Sequence, residues 1–211
     1  MPRVARIIAD NHPCHITQLG NNRQDVFLDD GDYTSYLSFL KLLARKYNVR
    51  ILGYCLMKNH VHLIVIPRKA SLLAKAIGGT HCRYAQYFNK KYKCSGHLWQ
   101  NRFYSAVLEQ MHLVSAMRYI ERNPVRVGAA IRAEQYPWSS ARAHVNGQGT
   151  DDVLDMQTWR NLFDDTGWED MLRDATDGSG EKEVRRDTMT GRPCGADRFI
   201  HRLEKQLCRR V

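Results

Sequence analysis

The sequence lacks the features that mark a membrane protein or a small protein held together by disulfides or zinc. No apolar run approaches the roughly 18 residues that a membrane helix needs, and the first ten residues lack the apolar stretch of a secretory signal. The six cysteines include no C-x-x-C pair, which argues against a structural zinc site and a disulfide framework. No internal repeat is present. We therefore expect a soluble, cytoplasmic protein without a membrane partner, built as one large domain or as a domain with a tail.

Basic residues are in excess, and their distribution along the chain is uneven. The chain has 32 Lys and Arg against 22 Asp and Glu, a formal net charge of +10. Residues 151–187 contain 12 acidic and 5 basic residues, so the other positions carry a balance of +17. This surplus favours a polyanionic partner, because each phosphate that a basic side chain neutralises releases condensed counterions. Since no basic amphipathic terminal helix adjoins a lipidation signal, nucleic acid is favoured over a membrane surface.

Hydrophobic periodicity predicts an alternation of strands and helices. In chain order, the pattern predicts a strand at 15–18, a helix from Asp30 or Asp32 to about 47, two strands at 49–57 and 60–66, a helix at 71–92, a strand at 103–108 and a helix at 111–123. The two-residue link Lys58-Asn59 indicates a hairpin, and Pro124 ends the last of these helices. This order predicts an α+β fold, a sandwich with helices on one face of a mainly antiparallel sheet.

Composition divides the chain into three segments. Residues 1–147 are the predicted globular unit, which ends where glycines become frequent. Residues 148–187 are acidic, and their apolar side chains between Trp159 and Leu172 indicate folded helix before a linker-like stretch at 177–183. Residues 188–211 are basic again and predict a tail helix with one apolar face.

His60 and His62 are candidate metal ligands. Alternate residues of a strand face the same side, so the two imidazoles project together. The apolar run that follows, 63–66, anchors the strand, and rigid elements make good platforms for a metal. The alternative interpretation is a pair of half-buried histidines at a strand edge. Two imidazoles leave a site incomplete, and Mg²⁺ or Mn²⁺ would need oxygen ligands in addition.

Tyr119 and Asn123 stand one turn apart on the predicted helix 111–123. At about 100° per residue, both lie off the apolar stripe that is centred near Met117, although Glu121 interrupts that stripe. A tyrosine on a helix is often a core or boundary aromatic. Here the carboxamide and the flanking arginines (Arg118, Arg122 and Arg126) favour a surface that handles phosphate.

The chemistry that these residues indicate is nucleophilic. A phenol with a pKa near 10 is scarcely ionised at neutral pH, so it needs a polarised phosphorus, a nearby base or a positive field. A metal ion on His60, His62 and the side-chain oxygen of Asn123 would act as the Lewis acid. Attack by Tyr119 would then yield a phosphotyrosine ester and a free hydroxyl end.

Four motifs in order resemble the single-strand tyrosine transposases of the HUH type. Residues 54–65 (YCLMKNHVHLIV) resemble the HUH segment, and residues 117–126 (MRYIERNPVR) resemble the tyrosine helix. Residues 15–23 (HITQLGNNR) are similar to the first strand and turn, and residues 136–140 (YPWSS) to the closing motif. The set covers about 12–145 and resembles the branch called REP-associated tyrosine transposases.

The resemblance implies a ferredoxin-like sheet, a divalent metal (Mg²⁺ or Mn²⁺), and cleavage of single-stranded DNA beside imperfect hairpins. It implies that His60 and His62 are the HUH ligands, Tyr119 the nucleophile and Asn123 the third ligand, with residues 1–147 as the catalytic domain. Residues 190–193 are similar to the start of the branch's basic C-terminal extension. The chain departs from the family pattern before Arg102, where Gln100-Asn101 replaces an acidic residue and a glycine.

Single strands are held by basic grooves that carry aromatic platforms. The candidate DNA-binding residues are Lys90, Lys91, Lys93, Trp99, Arg102, Arg118, Arg122 and Arg126, with Arg198 and Arg202 of the tail helix adding affinity. The alternative for Trp99 is a place in the core.

Two other functions remain open alternatives. The first is a DNA-hairpin-binding protein that has lost catalysis. The second is a two-histidine phosphodiesterase, to which His15-Ile16-Thr17 would contribute an H-x-T motif. It is the weaker of the two, because that chemistry needs a second H-x-T/S, which the chain does not supply. For each of these functions the sequence leaves the oligomeric state, monomer or homodimer, open.

Overall fold

The computed structural model describes residues 6–147, 152–163, 167–174, 179–208 and 210. The strands are Cys14–Leu19 (β1), Val49–Met57 (β2), His60–Pro67 (β3) and Tyr104–Val107 (β4). The helices are Asp30–Lys46 (α1), Ala70–Tyr92 (α2), Gln110–Glu121 (α3), Asn123–Arg126 (α4), Ala141–Asn146 (α5), Met156–Leu162 (α6), Trp168–Arg173 (α7), Ser179–Thr190 (α8) and Asp197–Leu207 (α9). Within these described ranges, no helix combines the length and the apolar character that crossing a bilayer requires.

The four strands form one sheet in the order β2-β3-β1-β4. All three strand pairs are antiparallel, and β2 and β3 form the predicted hairpin across Lys58-Asn59. The element order β1-α1-β2-β3-α2-β4 with this strand order is the ferredoxin-like arrangement. The predicted α+β sandwich is therefore confirmed.

The observed cap of the first helix lies one residue before Asp30, the first of the two predicted caps. Asp29 caps α1: its Oδ1 accepts a hydrogen bond from the Asp32 backbone N–H at 3.1 Å. The Asp32 carboxylate in turn accepts from the backbone N–H of Asp29 at 3.3 Å, which completes a reciprocal capping box. Asp30 and Asp32, which the sequence analysis proposed as caps, both lie in the first turn, where acidic groups favour the helix dipole.

Helices cover both faces of the sheet, and the two faces pack separate cores. Ile16, Leu63 and Val65 point to one face and pack with residues of α1 and α2, the layer that the sequence predicts. Ile64 and Ile66 point to the other face, which α3 and the C-terminal helices cover. This second layer explains why every residue of β3 after His60 is buried, since only a sheet covered on both sides buries consecutive residues.

A glycine sets the close approach of α3 to the sheet. A Cβ on Gly53 would overlap Met117 Sδ, and it would lie 3.1 Å from Ser140 Oγ. The register of β2 against β3 also shifts between Ile51 and Gly53. The absent side chain at this irregular point of β2 therefore lets the middle of α3 rest directly on the strand.

The acidic segment packs on α3 through a buried carboxylate. Glu121 is fully buried, and its Oε2 accepts a hydrogen bond from Trp168 Nε1 at 3.0 Å. Its Oε1 accepts from Ser140 Oγ at 2.5 Å and from His144 Nδ1 at 2.6 Å. Trp159 stacks on His144 with ring centroids 4.2 Å apart. Glu121 interrupts the apolar stripe of α3 because these polar partners meet it there.

The tail is attached to the edge of the sheet. Cys194 forms a parallel bridge with Leu108, and its backbone N–H donates to the Val107 carbonyl at 2.8 Å. Residues 179–183 of the predicted linker belong to α8, while 177–178 lie outside the described residues. The predicted segment boundary between 187 and 188 falls inside α8.

Candidate active site

The two candidate metal ligands project from the start of β3 toward the face that α3 covers. His60 and His62 share this face with Ile64, as the alternation along a strand predicts. Their ring centroids are 4.9 Å apart, and the ring planes are perpendicular. His62 is 5% exposed and His60 is half-buried.

The end of α3 and the start of α4 bring the candidate nucleophile and amide to these rings. The Tyr119 ring centroid lies 5.4 Å from that of His62. Asn123 Nδ2 lies 3.1 Å from His60 Nε2. Two segments about 60 residues apart in the chain thus meet at one place, since the hydrogen bond between Asn123 and His60 spans 63 positions.

Tyr119 and Asn123 are buried, so the expectation of an open phosphate-handling surface is wrong. Tyr119 is 5% exposed and Asn123 is 2% exposed. Helix α8 packs against α3 on this side, and the Arg126 guanidinium lies over the Tyr119 ring, 4.4 Å from its centroid. The sequence pattern allowed for one apolar face of α3, whereas the fold covers that helix from more than one side.

Arg126 also holds the carboxamide. Its Nη2 donates a hydrogen bond to Asn123 Oδ1 at 2.6 Å, so the amide presents its nitrogen to His60 and its oxygen to the guanidinium. One arginine therefore contacts both the ring of the candidate nucleophile and the oxygen of the candidate third ligand.

The three imidazoles near Tyr119 are neutral. Burial lowers the pKa of His60 to about 4 and that of His15 to about 3. Burial also lowers the pKa of His62 well below 6.5, and the neighbouring His60 and His15 add to this effect. Arg126 and Arg185 lower the pKa values of His60 and His62 further, because nearby positive charge disfavours imidazolium. Neutral imidazoles keep the lone pair that a metal ligand needs.

The hydrogen bonds of these rings fit a divalent ion. His60 Nδ1 lies 2.7 Å from Asn59 Oδ1, an acceptor, so Nδ1 carries the hydrogen and Nε2 carries the lone pair. The donor set of two imidazole nitrogens and one amide oxygen is compatible with Mg²⁺ or Mn²⁺, which complete their shells with water and phosphate oxygens. For Asn123 to act as an oxygen ligand, its Oδ1 must leave the hydrogen bond with Arg126 and bind the ion instead.

His15 lies beside this group, although the sequence predicts it only as a residue of the first strand and as part of an H-x-T motif. His15 pairs with Ile64 across β1 and β3, which makes His62 its diagonal neighbour. His15 Nε2 lies 3.0 Å from His62 Nδ1, and His15 Nδ1 lies 2.7 Å from Thr188 Oγ1 of α8. The position of His15 next to His62 depends on the register of β1 against β3, and no local sequence pattern specifies that register.

Several predicted DNA-binding side chains already have protein partners. Lys91 Nζ lies 2.7 Å from Asp29 Oδ2 and 2.7 Å from Asp32 Oδ1, and these bonds raise the pKa of Lys91. Arg118 donates to the carbonyls of Met171 at 2.8 Å and Asp174 at 2.7 Å, which ties α7 to α3. These two cations stabilise the fold rather than lying ready for DNA.

Trp99 is partly buried and lines a groove. Its Nε1 donates to the His81 carbonyl at 2.9 Å, and its ring packs 5.0 Å from that of His81. Trp99 and Arg102 both line an open groove of about 730 Å³ between α2 and the segment 96–103. The other predicted side chains do not line this groove: Lys90, Lys93, Arg198 and Arg202 are exposed, and Arg122 is half-buried. Arg202 Nη2 lies 3.7 Å from Glu109 Oε1.

A second group of metal-ligand side chains lies between α3, α8 and the bridge at Cys194. The ligand atoms of His112, Glu183 and Cys194 all lie within 4.8 Å of one another, the one such group of three in the described part of the chain. His112 Nε2 is 3.5 Å from Glu183 Oε2. Burial raises the pKa of the Cys194 thiol to about 12, and Asp187 and Glu183 add to this. A search for C-x-x-C spacing could not find this group, because its members come from three separate segments.

Comparisons with known proteins show the family and the fold. A family model described as "Transposase IS200 like" matches residues 9–123. A solved REP-associated tyrosine transposase bound to a REP hairpin is similar with a TM-score of 0.57 at 18% identity, over 85% of this chain and 96% of the other. At that identity the similarity shows the fold.

Two further solved structures are more distant. A proposed transposase from Deinococcus radiodurans R1 has a TM-score of 0.40 at 17% identity, over 57% of this chain and 96% of its own. A bacterial tRNA(His) guanylyltransferase-like protein in complex with GTP has a TM-score of 0.41 at 10% identity, over 58% of this chain and 68% of its own. The search of curated protein sequences found no relative of this chain.

Proposed function

The chain belongs to the IS200-like transposase family, and from this premise we propose that it cleaves and rejoins single-stranded DNA beside hairpins through a covalent bond to Tyr119. The observation that carries the proposal is the meeting of Tyr119 and Asn123 with His60 and His62. The Tyr119 ring lies 5.4 Å from that of His62, and Asn123 lies 3.1 Å from His60. A buried phenol beside neutral imidazoles and an arginine is a group that phosphoryl transfer can use.

The transfer exchanges one phosphate ester for another. The Tyr119 hydroxyl attacks the phosphorus and loses its proton, and the strand's P–O bond breaks to leave a hydroxyl end, which takes up a proton. The reverse step rejoins the strand without another energy source, because the number of ester bonds is unchanged. The Arg126 guanidinium lies over the phenol ring, 4.4 Å from its centroid.

His60 and His62 would hold a divalent ion, Mg²⁺ or Mn²⁺, with Asn123 as an oxygen ligand. Such an ion supplies Lewis-acid polarisation of the phosphate. The contact between Arg126 and Asn123 couples this ligand to DNA: when the guanidinium turns to a phosphate, it frees the amide oxygen that it now binds at 2.6 Å. The same movement uncovers the Tyr119 ring, which admits the strand.

The substrate class follows from charge and from the structural relative. The similar REP-associated tyrosine transposase was solved bound to a REP hairpin, and the +10 charge of this chain suits a polyanion. The groove that Trp99 and Arg102 line is our candidate for an unpaired strand. Lys90 and Lys93, both exposed at the end of α2, are the candidate phosphate contacts near it.

One alternative has an observation in its favour. Tyr119 is 5% exposed, and Arg126 binds the oxygen that Asn123 would give to a metal. A protein fixed in this state would bind DNA hairpins without cleaving them. The alternative is therefore a non-catalytic hairpin-binding protein derived from a transposase.

A covalent-complex assay separates the two functions. The protein is incubated with labelled hairpin DNA and Mg²⁺ or Mn²⁺ and run on a denaturing gel. We expect a DNA–protein band with the parent and with Tyr47→Phe, a control at the residue that follows α1, and none with Tyr119→Phe. A band of equal strength with Tyr119→Phe would assign the nucleophile elsewhere. Hairpin binding without any band from the parent would establish the binding-only alternative.

A further inference from the structure

We propose that Thr188 and His15 are positioning residues that fix the ring tautomer of His62, so that its Nε2 carries the lone pair a divalent ion needs. This inference rests on the proposed function, because it deepens the role of His62 as a ligand. It concerns which ring nitrogens of His15 and His62 carry hydrogen in the metal-free protein.

A buried chain of three side chains connects α8 to β3. Thr188 and His15 are each 1% exposed and His62 is 5% exposed. Thr188 Oγ1 lies 2.7 Å from His15 Nδ1, and His15 Nε2 lies 3.0 Å from His62 Nδ1. All three members are buried, where polar atoms almost always have hydrogen-bond partners, and neighbouring side chains supply these partners here.

The direction of this chain is set at Thr188. Its hydroxyl has one hydrogen, which it donates to the Val184 carbonyl at 2.7 Å. The Thr188 oxygen therefore accepts from His15, and the hydrogen of His15 lies on Nδ1. A neutral imidazole has one N–H, so His15 Nε2 is an acceptor. His62 must then donate from Nδ1, which leaves Nε2 of His62 with its lone pair.

The opposite direction would block the site. If His15 carried its hydrogen on Nε2, His62 would accept at Nδ1 and carry its own hydrogen on Nε2, the nitrogen left for a metal. Outer partners of this kind orient metal-binding histidines and typically change metal affinity about 10- to 100-fold when removed. Thr188 is contributed by α8, so the C-terminal extension takes part in building the metal site, 126 positions from His62 in the sequence.

Three variants of α8 isolate the effect. Thr188→Val keeps the shape and removes the hydroxyl, while Thr188→Ser restores it. Thr190→Val is the matched control, because the Thr190 hydroxyl is exposed and bonds only to the Arg186 and Asp187 carbonyls of its own helix, among the described contacts. Thermal melts of all three establish that they fold.

The first measurement is the nitrogen NMR spectrum of histidine-labelled, metal-free protein, which distinguishes N–H from lone-pair nitrogens. We expect His62 to carry its hydrogen on Nδ1 in the parent, Thr188→Ser and Thr190→Val, and to become a mixture of tautomers in Thr188→Val. A hydrogen on Nε2 of His62 in the parent would overturn the proposal whatever the variants do, and so would an unchanged tautomer in a folded Thr188→Val protein.

The second measurement is Mn²⁺ affinity from the paramagnetic broadening of the His62 resonances, compared with that of the His112 resonances to distinguish this site from the group of His112, Glu183 and Cys194. We expect Thr188→Val to weaken Mn²⁺ binding about 10- to 100-fold and Thr188→Ser to retain it. Equal affinity in Thr188→Val and the parent would contradict the positioning role. Both measurements are made without DNA, so a parent that shows this tautomer but never cleaves would refute the proposed function alone.

Discussion

The buried carboxylate of Glu121 provides a strict test of how the acidic segment is held on α3 and α5. Its two oxygens accept hydrogen bonds from Trp168 Nε1, His144 Nδ1 and Ser140 Oγ, and the side chain has no exposed area. Trp168 belongs to α7, and Ser140 and His144 belong to the region around α5. The carboxylate of α3 is thus the common acceptor for donors from two separate parts of the second core.

Replacing Glu121 by Gln keeps the volume and removes one acceptor. The carboxamide oxygen can serve His144, but the NH₂ group then faces the Trp168 N–H, donor against donor. One buried N–H loses its partner, which costs about 1–3 kcal/mol. Since domains of this size are stable by about 5–15 kcal/mol, we expect a folded protein with a clearly lower free energy of unfolding.

Urea unfolding of Glu121→Gln, Trp168→Phe and the double variant measures this cost. Trp168→Phe removes the N–H that Glu121→Gln leaves without an acceptor. Glu121→Gln should therefore lower the free energy of unfolding less in the Trp168→Phe protein than in the parent, with a coupling energy of about 1 kcal/mol or more. Glu169→Gln, an exposed carboxylate on α7 that pairs with Arg173, is the control and should change the free energy by less than about 1 kcal/mol. Additive effects of Glu121→Gln and Trp168→Phe would refute the account of the segment's attachment.

Two further outcomes follow from the described contacts. Burial lowers the pKa of His81 from 6.5 to about 3. Between these two pH values His81 therefore binds fewer protons in the folded state than in the unfolded state. The stability that is present above pH 6.5 is lost as the pH falls toward 3. His81→Gln should flatten this loss in urea unfolding across that range, and an unchanged pH profile would contradict it. Lys91→Met should lower the thermal midpoint, because the fully buried Asp32 side chain loses its cation, and it should leave hairpin affinity unchanged. Lys90→Met, the neighbouring exposed control, should reduce the slope of log affinity against log salt concentration by about 1. Equal slopes for Lys91→Met and Lys90→Met would show that Lys91 contacts DNA.

Local periodicity predicts those parts of the fold that depend on neighbours in the sequence. The hairpin at Lys58-Asn59 and the shared face of His60 and His62 follow from strand alternation and a two-residue link. The turn of helix that carries Tyr119 follows from the apolar spacing of α3. These features are decided within a few residues, so a single sequence specifies them.

Long-range packing determines the features that the sequence analysis missed. His15 meets His62 because β1 pairs with β3 in a particular register, and Thr188 meets His15 across 173 positions. The burial of Tyr119 depends on α8, and the pairing of Lys91 with Asp32 depends on the packing of α1 against α2. The hydrophobic periodicity of one helix or strand does not indicate which other element packs against it. The exposed or buried state of these side chains therefore could not be predicted from the sequence.

Arg126 connects the two halves of the proposed reaction. In the structure its guanidinium stabilises the buried state, because it covers the Tyr119 ring and binds the Asn123 oxygen. Both contacts are weaker than the bidentate bond that a guanidinium forms with a phosphate. In the proposed reaction, a strand that enters the site would compete for Arg126, and its phosphate would expose the phenol and release the amide oxygen in one movement. The cation that keeps the site closed in the absence of DNA is, on this reasoning, the group through which DNA opens it.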